Sequence, residues 1–376
     1  MKSFTSIFSF FCFAILCFAT TNLNAQANGM QGAYTTQLDY ENAATTGSGS
    51  TAVVALQKPT LQVRLSSYNV ATNGTVTLKG VLDLPSNAKK VNVAMLTDSR
   101  VALAQVSLAD KLVISIYDIS ANGSFTLKNT WNGPTVKDQK PGIVRLSNGS
   151  FATAVAISST GGLRITSYSV NGNNVIVKQD DDDNGAIEAV DLARMSAGRV
   201  VAGVKLPNDQ MKLIAFDVNE TTYVVNRRGD FTLNGAVKKI SMVGTANNRF
   251  VAFSTDGNER LDAAAFETTA SGNFVLKNQL NDIKKPSNGQ YFTLRFLDGQ
   301  FLGSNGRILL SAIRTSDQLS VIPFTVNSNG LISHNSGDYS PNTAYTRTYS
   351  TVIGGKMVAA TRQMDNKYFI RCYNWN

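Results

Sequence analysis

Alternating hydrophobic and polar positions recur along most of the chain, broken at short intervals by turn residues. Leu112 to Lys128, LVISIYDISANGSFTLK, shows the unit in full: Leu112, Ile114 and Ile116 alternate with other residues, Asn122-Gly123 interrupts, and Phe125 and Leu127 resume the alternation. Period-two patterning on both sides of Asn-Gly predicts a β-hairpin, because these two residues accept the positive φ angles that tight hairpin turns need. An aromatic residue anchors each copy, at Tyr68, Tyr117, Tyr168, Phe216, Phe266, Phe324 and Tyr373, with steps of 49, 51, 48, 50, 58 and 49 residues. A second register opens the strand before each anchor. It runs through Arg100, Ser150, Arg199, Arg249, Arg307 and Lys356, followed by small apolar residues, in steps of 50, 49, 50, 58 and 49.

A repeat near fifty residues, all strand and turn, predicts an all-β fold: a seven-bladed β-propeller of four-stranded antiparallel blades. One such sheet has two faces to cover, and only neighbouring sheets can cover them. The pattern resembles seven-bladed β-propeller repeat proteins in general, across almost all of the chain after residue 25. It lacks the Trp-Asp signature of WD repeats and the signatures of kelch repeats, so no functional residues follow from the resemblance. The expected blades are 51–86 (strands Thr51–Leu56, Leu61–Val70 and Gly74–Lys79), 89–135, 141–179, 187–228, 238–278, 291–335 and 344–376. An insertion at 278–290 explains the one long step. Tyr223–Val225 is expected as the fourth blade's outer strand, with Gly229 in a loop. Thr45–Ser50 reads as a Gly/Ser/Thr loop. The last hairpin lacks its second strand, so Ala33–Asp39 is expected to supply it, closing the ring and joining 26–50 to 51–376 in one domain.

Residues 1–25 read as a secretory signal: Lys2 is the positive start, Ile7–Phe18 an apolar run too short to span a bilayer, and Leu23-Asn24-Ala25 a cleavage site. The expected location is the extracellular space, the periplasm or the cell surface, with no transmembrane segment. Cys12 and Cys17 fall in the signal, which leaves Cys372 alone and no disulfide framework. Leu16 stands before Cys17, where a lipoprotein signal has a small residue. A monomer is expected. The formal net charge is +9, or +8 without Lys2, which favours acidic partners and equally serves solubility.

Two groups of residues are candidate sites. Asp180 to Asp191, DDDDNGAIEAVD, places Asp180, Asp182, Asn184, Glu188 and Asp191 at calcium-ligand spacing around Gly185. The run resembles an EF-hand loop, departing from it in Asp191 at the last position and in strand-like flanks. Calcium is the one cofactor this implies; the alternative is an acidic, solvated loop. Lys89, Lys90, Lys140, Lys238, Lys239, Lys284 and Lys285 precede inner strands and are expected to rim one face, where they would attract anionic groups. The alternative is charge placed at strand starts for solubility. Asp110, Asp209, Asp256, Asp317 and Asp365 read as turn formers. Arg228-Gly229-Asp230 matches an adhesion tripeptide by its letters alone.

Catalytic constellations are thin. The one histidine is His334, no Gly-x-Ser-x-Gly elbow occurs, and there is no phosphate-binding or dinucleotide loop. The expected function is a secreted binding or adhesion module that recognises a glycan, anionic glycans included, or a cell-surface protein, with no specific nucleic acid. The rivals are an extracellular carbohydrate-active hydrolase or lyase, marked by clustered carboxylates with Arg or Tyr in the channel, and a structural envelope protein.

Overall fold

A computed structural model describes residues 27–36, 40–147, 149–195, 198–246, 248–286, 288–303, 305–341, 343–365 and 367–375. The signal-peptide reading of residues 1–25 lies outside them. Every named element is a strand. β1 (Ala27–Thr36) comes first; β2 (Asn42–Ser48), β3 (Thr51–Gln57), β4 (Gln62–Val70) and β5 (Val76–Thr97) follow in one sheet. β5 pairs with β4 through its first half and with β6 (Arg100–Ser107) through its second, and β7 (Lys111–Ile119) and β8 (Phe125–Thr135) complete a seven-stranded sheet.

Four-stranded antiparallel sheets then repeat. The first is β9 (Gly142–Arg145), β10 (Phe151–Ala156), β11 (Gly162–Val170) and β12 (Ile176–Ala186); the second is β13 (Ala189–Arg194), β14 (Arg199–Lys205), β15 (Met211–Val218) and β16 (Val225–Leu233). Next come β17 (Lys239–Gly244), β18 (Arg249–Thr255), β19 (Leu261–Thr268) and β20 (Phe274–Leu280), then β21 (Leu294–Phe301), β22 (Arg307–Arg314), β23 (Leu319–Val326) and β24 (Ile332–His334). β25 (Tyr345–Ile353), β26 (Lys356–Gln363) and β27 (Tyr368–Trp375) form the last sheet, and β1 is its fourth strand, with Tyr34 opposite Ile370. This is a β-propeller architecture, all-β and built from antiparallel sheets of the expected kind.

The anchors have a common physical role. Each lies on the third strand of its repeat, counted from the innermost, and is 4% exposed or less. At Tyr68, Tyr117, Tyr168 and Phe266 the outer strand carries one extra residue, a β-bulge at Lys79, Lys128, Gln179 and Lys277. A bulge turns the strand and re-aims the side chains around it. The residue just after each bulge meets the next sheet. Asn129 Oδ1 accepts from Ile176 N–H at 3.2 Å, Asp180 Oδ2 from Val225 N–H at 2.9 Å and Asn278 Oδ1 from Ile332 N–H at 2.8 Å. At the same place elsewhere glycine lets the backbones touch: a Cβ on Gly229 would lie 2.8 Å from the Gly272 carbonyl oxygen, one on Gly32 2.5 Å from that of Gly74, and one on Gly80 would run into that of Gly123.

The second register also has a partner. Arg100 pairs with Asp118, Arg199 with Asp217 and Arg249 with Glu267, each across to the third strand, and Lys128, Arg228 and Lys277 reach the same acids from the outer strand. Hydrophobic clusters fill the spaces between sheets. One joins Tyr40, just before β2, and Val54 and Tyr68 of the first sheet to Tyr349, Tyr368 and Ile370 of the last.

Four local expectations are corrected. Thr45–Ser50 is not a loop: β2 pairs with β3 from Asn42 opposite Gln57 to Ser48 opposite Thr51, so the first sheet starts at 42. Small Ala, Thr and Gly side chains suit this inner position but read as turn formers. Gly229 lies inside β16, because the turn before it is one residue longer than its counterparts, running from Asn219 to Val224 with Tyr223 at φ 60°. The acidic run is no loop either, since β12 continues to Ala186 with Asp183 opposite Arg164. The proposed N-terminal strand is Ala27–Thr36 rather than Ala33–Asp39, whose last three residues lie outside the described ones.

Two outcomes are expected. Gly80→Ala should destabilise by about 1–3 kcal/mol through overpacking against the neighbouring turn, measured by urea unfolding; an unchanged midpoint would remove the close-approach account. Deleting residues 26–36 should lower the melting temperature by several degrees, because β27 loses its partner and becomes an open edge.

Candidate functional site

The inner strands β2, β5, β9, β13, β17, β21 and β25 all contribute residues to one cavity of about 420 Å³. Around it each touches the next, and β25 touches β2, so the circuit closes. A smaller chamber of about 180 Å³ adjoins it at the end where these strands begin. Lys140, Asp191 and Asp298 line both spaces.

Neighbouring inner strands share no backbone ladder, so their N–H groups need other acceptors. Side chains supply them. Thr46 Oγ1 accepts from Met95 N–H at 2.8 Å, Asp191 Oδ2 from Met242 N–H at 2.8 Å, Ser241 Oγ from Gly299 N–H at 3.0 Å and Asp298 Oδ2 from Ser350 N–H at 2.6 Å. Asn92 Nδ2 donates to the Pro141 carbonyl at 2.8 Å. These contacts stitch the circuit from within.

Asp191 and Asp298 therefore sit half-buried beside one another's fields. Desolvation raises the Asp191 carboxyl above its ordinary range, against its bonds and the Lys140 charge. It pushes Asp298 up to about 6; Lys140 and the Ser350 N–H oppose this, while the Asp191 charge reinforces it.

The smaller chamber carries aromatic faces under cations. Phe296 and Tyr349 meet edge to face with centroids 6.4 Å apart. The Arg347 guanidinium lies 4.3 Å and Lys239 Nζ 5.9 Å from the Phe296 centroid, and Lys140 Nζ lies 5.0 Å from that of Tyr349. Burial pushes the Tyr349 phenol up to about 12, so it stays neutral. Cations, an aromatic wall and recessed carboxylates in one polar chamber can hold a polyhydroxylated ring and draw in an anionic group on it.

The lysines singled out by sequence divide into groups. Lys140 and Lys239 line the chamber. Lys89 pairs with Asp110 at 2.6 Å and Lys90 with Asp138 at 3.5 Å. Lys284 lies over Tyr291 at 5.0 Å, and burial lowers the Lys285 ammonium with the Arg314 charge helping. Lys238 is exposed.

The five proposed calcium ligands are spread out. Asp180 holds the next sheet, Asp182 is opposite Ile165, Glu188 pairs with Lys205 at 2.5 Å, and Asp191 lies in the axial cavity. Asn184 lines a separate groove beside Asp183 and Lys212. Among the described residues no three His, Cys, Asp or Glu side chains converge as a metal site. Alternation explains the spread: successive strand residues point to opposite faces, whereas a loop would wrap them round one ion.

The turn aspartates behave as read: Asp110, Asp209 and Asp317 take φ of 58°, 62° and 60°, a region that Asp tolerates. His334 lies against Phe292 and Phe324, and burial lowers its pKa. Sequence reasoning missed Phe296, Asp298, Arg347 and Tyr349. The available signal was a polar residue inside a short apolar inner strand, recurring at Asp191, Ser241 and Asp298.

Asp298 yields a pH test. Its folded pKa exceeds the unfolded value, so the native state holds the extra proton, and stability falls as pH rises from about 4, the unfolded carboxyl range, to about 6. Asp298→Asn keeps an oxygen for Ser350 N–H and removes the charge. It should gain about 1–3 kcal/mol relative to wild type on going from pH 4.5 to pH 7, after allowance for solvent screening. An equal gap at both pH values would show that Asp298 is not titrating in this range.

No protein-family model matches the chain, and no curated protein matches it. Among solved structures it is similar to a protein from Lactobacillus plantarum, at 13% identity and TM-score 0.58, covering 85% of this chain and 90% of that one. It is also similar to a 6-phosphogluconolactonase candidate from Bacteroides uniformis, at 14% identity and TM-score 0.54, covering 79% and 84%. A third is Sqt1 of Saccharomyces cerevisiae, at 9% identity and TM-score 0.53, covering 93% and 100%. At such identities the likeness shows the fold alone, and that fold is the β-propeller.

Proposed function

We propose that this is an exported seven-bladed propeller, closed by Ala27–Thr36, that binds a glycan end-on at the axial chamber. The blade count is supported by the closed circuit of inner strands and by the hydrophobic cluster between the first and last sheets. Closure is supported by the β1–β27 pairing and by the approach of Gly32 to the Gly74 turn. Export rests on the residue 1–25 pattern.

The observation that carries the binding reading is the chamber itself: Lys140, Lys239 and Arg347 over Phe296 and Tyr349, with Asp191 and Asp298 recessed behind them. Aromatic faces stack on the apolar side of a sugar ring, carboxylates accept from hydroxyls, and the cations select an acidic substituent. A panel of uronate-bearing, sulfated and neutral glycans tests this. Lys140→Glu with Lys239→Glu should weaken binding of the acidic members at least tenfold, whereas Lys89→Glu with Lys90→Glu should change it little. Equal losses would reduce the effect to net charge, and capture of a surface protein without any glycan response would replace the ligand class.

The same chamber favours one rival, a glycosidase, because two carboxylates with raised pKa and a tyrosine share it. Both carboxylates already accept strand N–H groups, which is why binding is preferred. Release of reducing sugar, lost in Asp298→Asn, would reverse the order. Calcium at Asp180–Asp191 is a separate proposal. It requires the carboxylates to leave their present partners, and is checked by a calcium-dependent rise in melting temperature that magnesium reproduces less well.

A further inference from the structure

The other end of the axial cavity has a different chemistry. Arg145 ends β9 and Arg194 ends β13, 49 residues later, so the two are repeat-equivalent on neighbouring inner strands. Both line the 420 Å³ cavity. Arg194 stands three positions past Asp191 along β13, about 10 Å at the usual strand rise, so the recessed carboxylates lie at a distance. At this end the other inner strands offer Gly47, Met95, Gly244, Phe301 and Thr351, none of them acidic. Asp98, just past the end of β5, accepts from Ser48 Oγ; the carboxylate beside Arg194 is Glu220, whose Oε1 lies 3.7 Å away. That oxygen already accepts Gly198 N–H at 2.9 Å and Ser147 N–H at 3.2 Å. Arg145 Nε is buried and has no hydrogen-bond partner among the described residues. A buried guanidinium donor without an acceptor is costly unless a ligand supplies one.

We propose that Arg145 and Arg194 form an oxyanion subsite at this end of the channel, taking a compact sulfate, phosphate or carboxylate group. Guanidinium forks match the paired oxygens of such groups and form short, charge-assisted bonds. The cavity is large enough for the anion to be carried on a single sugar, or for the free ion to bind alone. This site is at the opposite end from the chamber of the glycan reading and does not depend on it.

The test uses the mature chain, residues 26–376, titrated with inorganic sulfate against chloride at matched ionic strength. Melting temperature and calorimetry are followed. Sulfate stabilises proteins generally, so the difference between wild type and variants is what counts. Arg145→Gln and Arg194→Gln should each weaken sulfate binding at least tenfold, Arg145→Lys should weaken it less, and Lys238→Gln, at an exposed lysine that lines neither space, should leave it unchanged. If Arg145→Gln fails to fold, Arg194→Gln and Arg145→Lys carry the comparison. Tighter binding of a monosaccharide sulfate than of inorganic sulfate would assign the group to a sugar; equal binding would assign it to the free anion. A sulfate response of the same size in folded Arg145→Gln and Arg194→Gln overturns the proposal, whatever the glycan panel shows.

Discussion

Everything in this molecule depends on how one sheet is fastened to the next. Each sheet is satisfied within itself by backbone pairing, but its faces are apolar and its inner and outer strands end a ladder. The faces are covered by side-chain packing, as in the cluster of Val251 and Phe253 on β18 with Leu310 on β22 and Phe324 on β23. The two ends of the ladder need more specific treatment. On the outside, the residue after the bulge is either glycine, which lets backbones meet, or Asn and Asp, which accept an N–H from the neighbour. On the inside, Thr46, Asp191, Ser241 and Asp298 do the equivalent work. Packing supplies most of the stabilisation, at roughly 1.5–3 kcal/mol for each large side chain buried; the polar contacts fix the register.

That inner fastening also shapes the chemistry of the channel. A short polar side chain that reaches the next strand's N–H must lie along the cavity wall. Where it is Asp, the wall acquires a carboxylate poor in solvent, and its proton affinity rises. The cavity is thus polarised by its own construction: carboxylates, lysines and aromatic rings where the inner strands begin, and Arg145 and Arg194 where they end. A propeller tolerates such a channel because the strands around it are held from both sides.

Much of the fold was legible along the chain. The seven aromatic anchors are buried on third strands because a period-two pattern with a turn signal leaves little choice of face. The Arg100, Arg199 and Arg249 register proved to be ion pairing across strands. The misreadings had physical causes. Thr45–Ser50 reads as a loop along the chain because small residues serve turns and inner strands alike. The acidic run reads as a loop because carboxylate spacing is the same in sequence whether the backbone curls or extends. Of the candidate lysines, Lys140 and Lys239 reach the chamber, while Lys89 and Lys90 have acidic partners that only folding brings near.

The sequence by itself determined the repeat, the strand and turn alternation, and the residues that face inward within each sheet, because these depend on neighbours a few positions away. Tertiary structure decided which residues meet across sheets. Asp298 and Ser350 are 52 residues apart, Asp191 and Met242 51, and Phe296 and Tyr349 belong to different sheets. Such contacts depend on strand tilt and on the bulges that turn the outer strands, so a single extra residue in the Asn219–Val224 turn was enough to shift a whole strand. Whether Asp180 binds an ion or holds a neighbouring strand is a difference of the same kind, since its partner, Val225 N–H, lies 45 residues further along the chain.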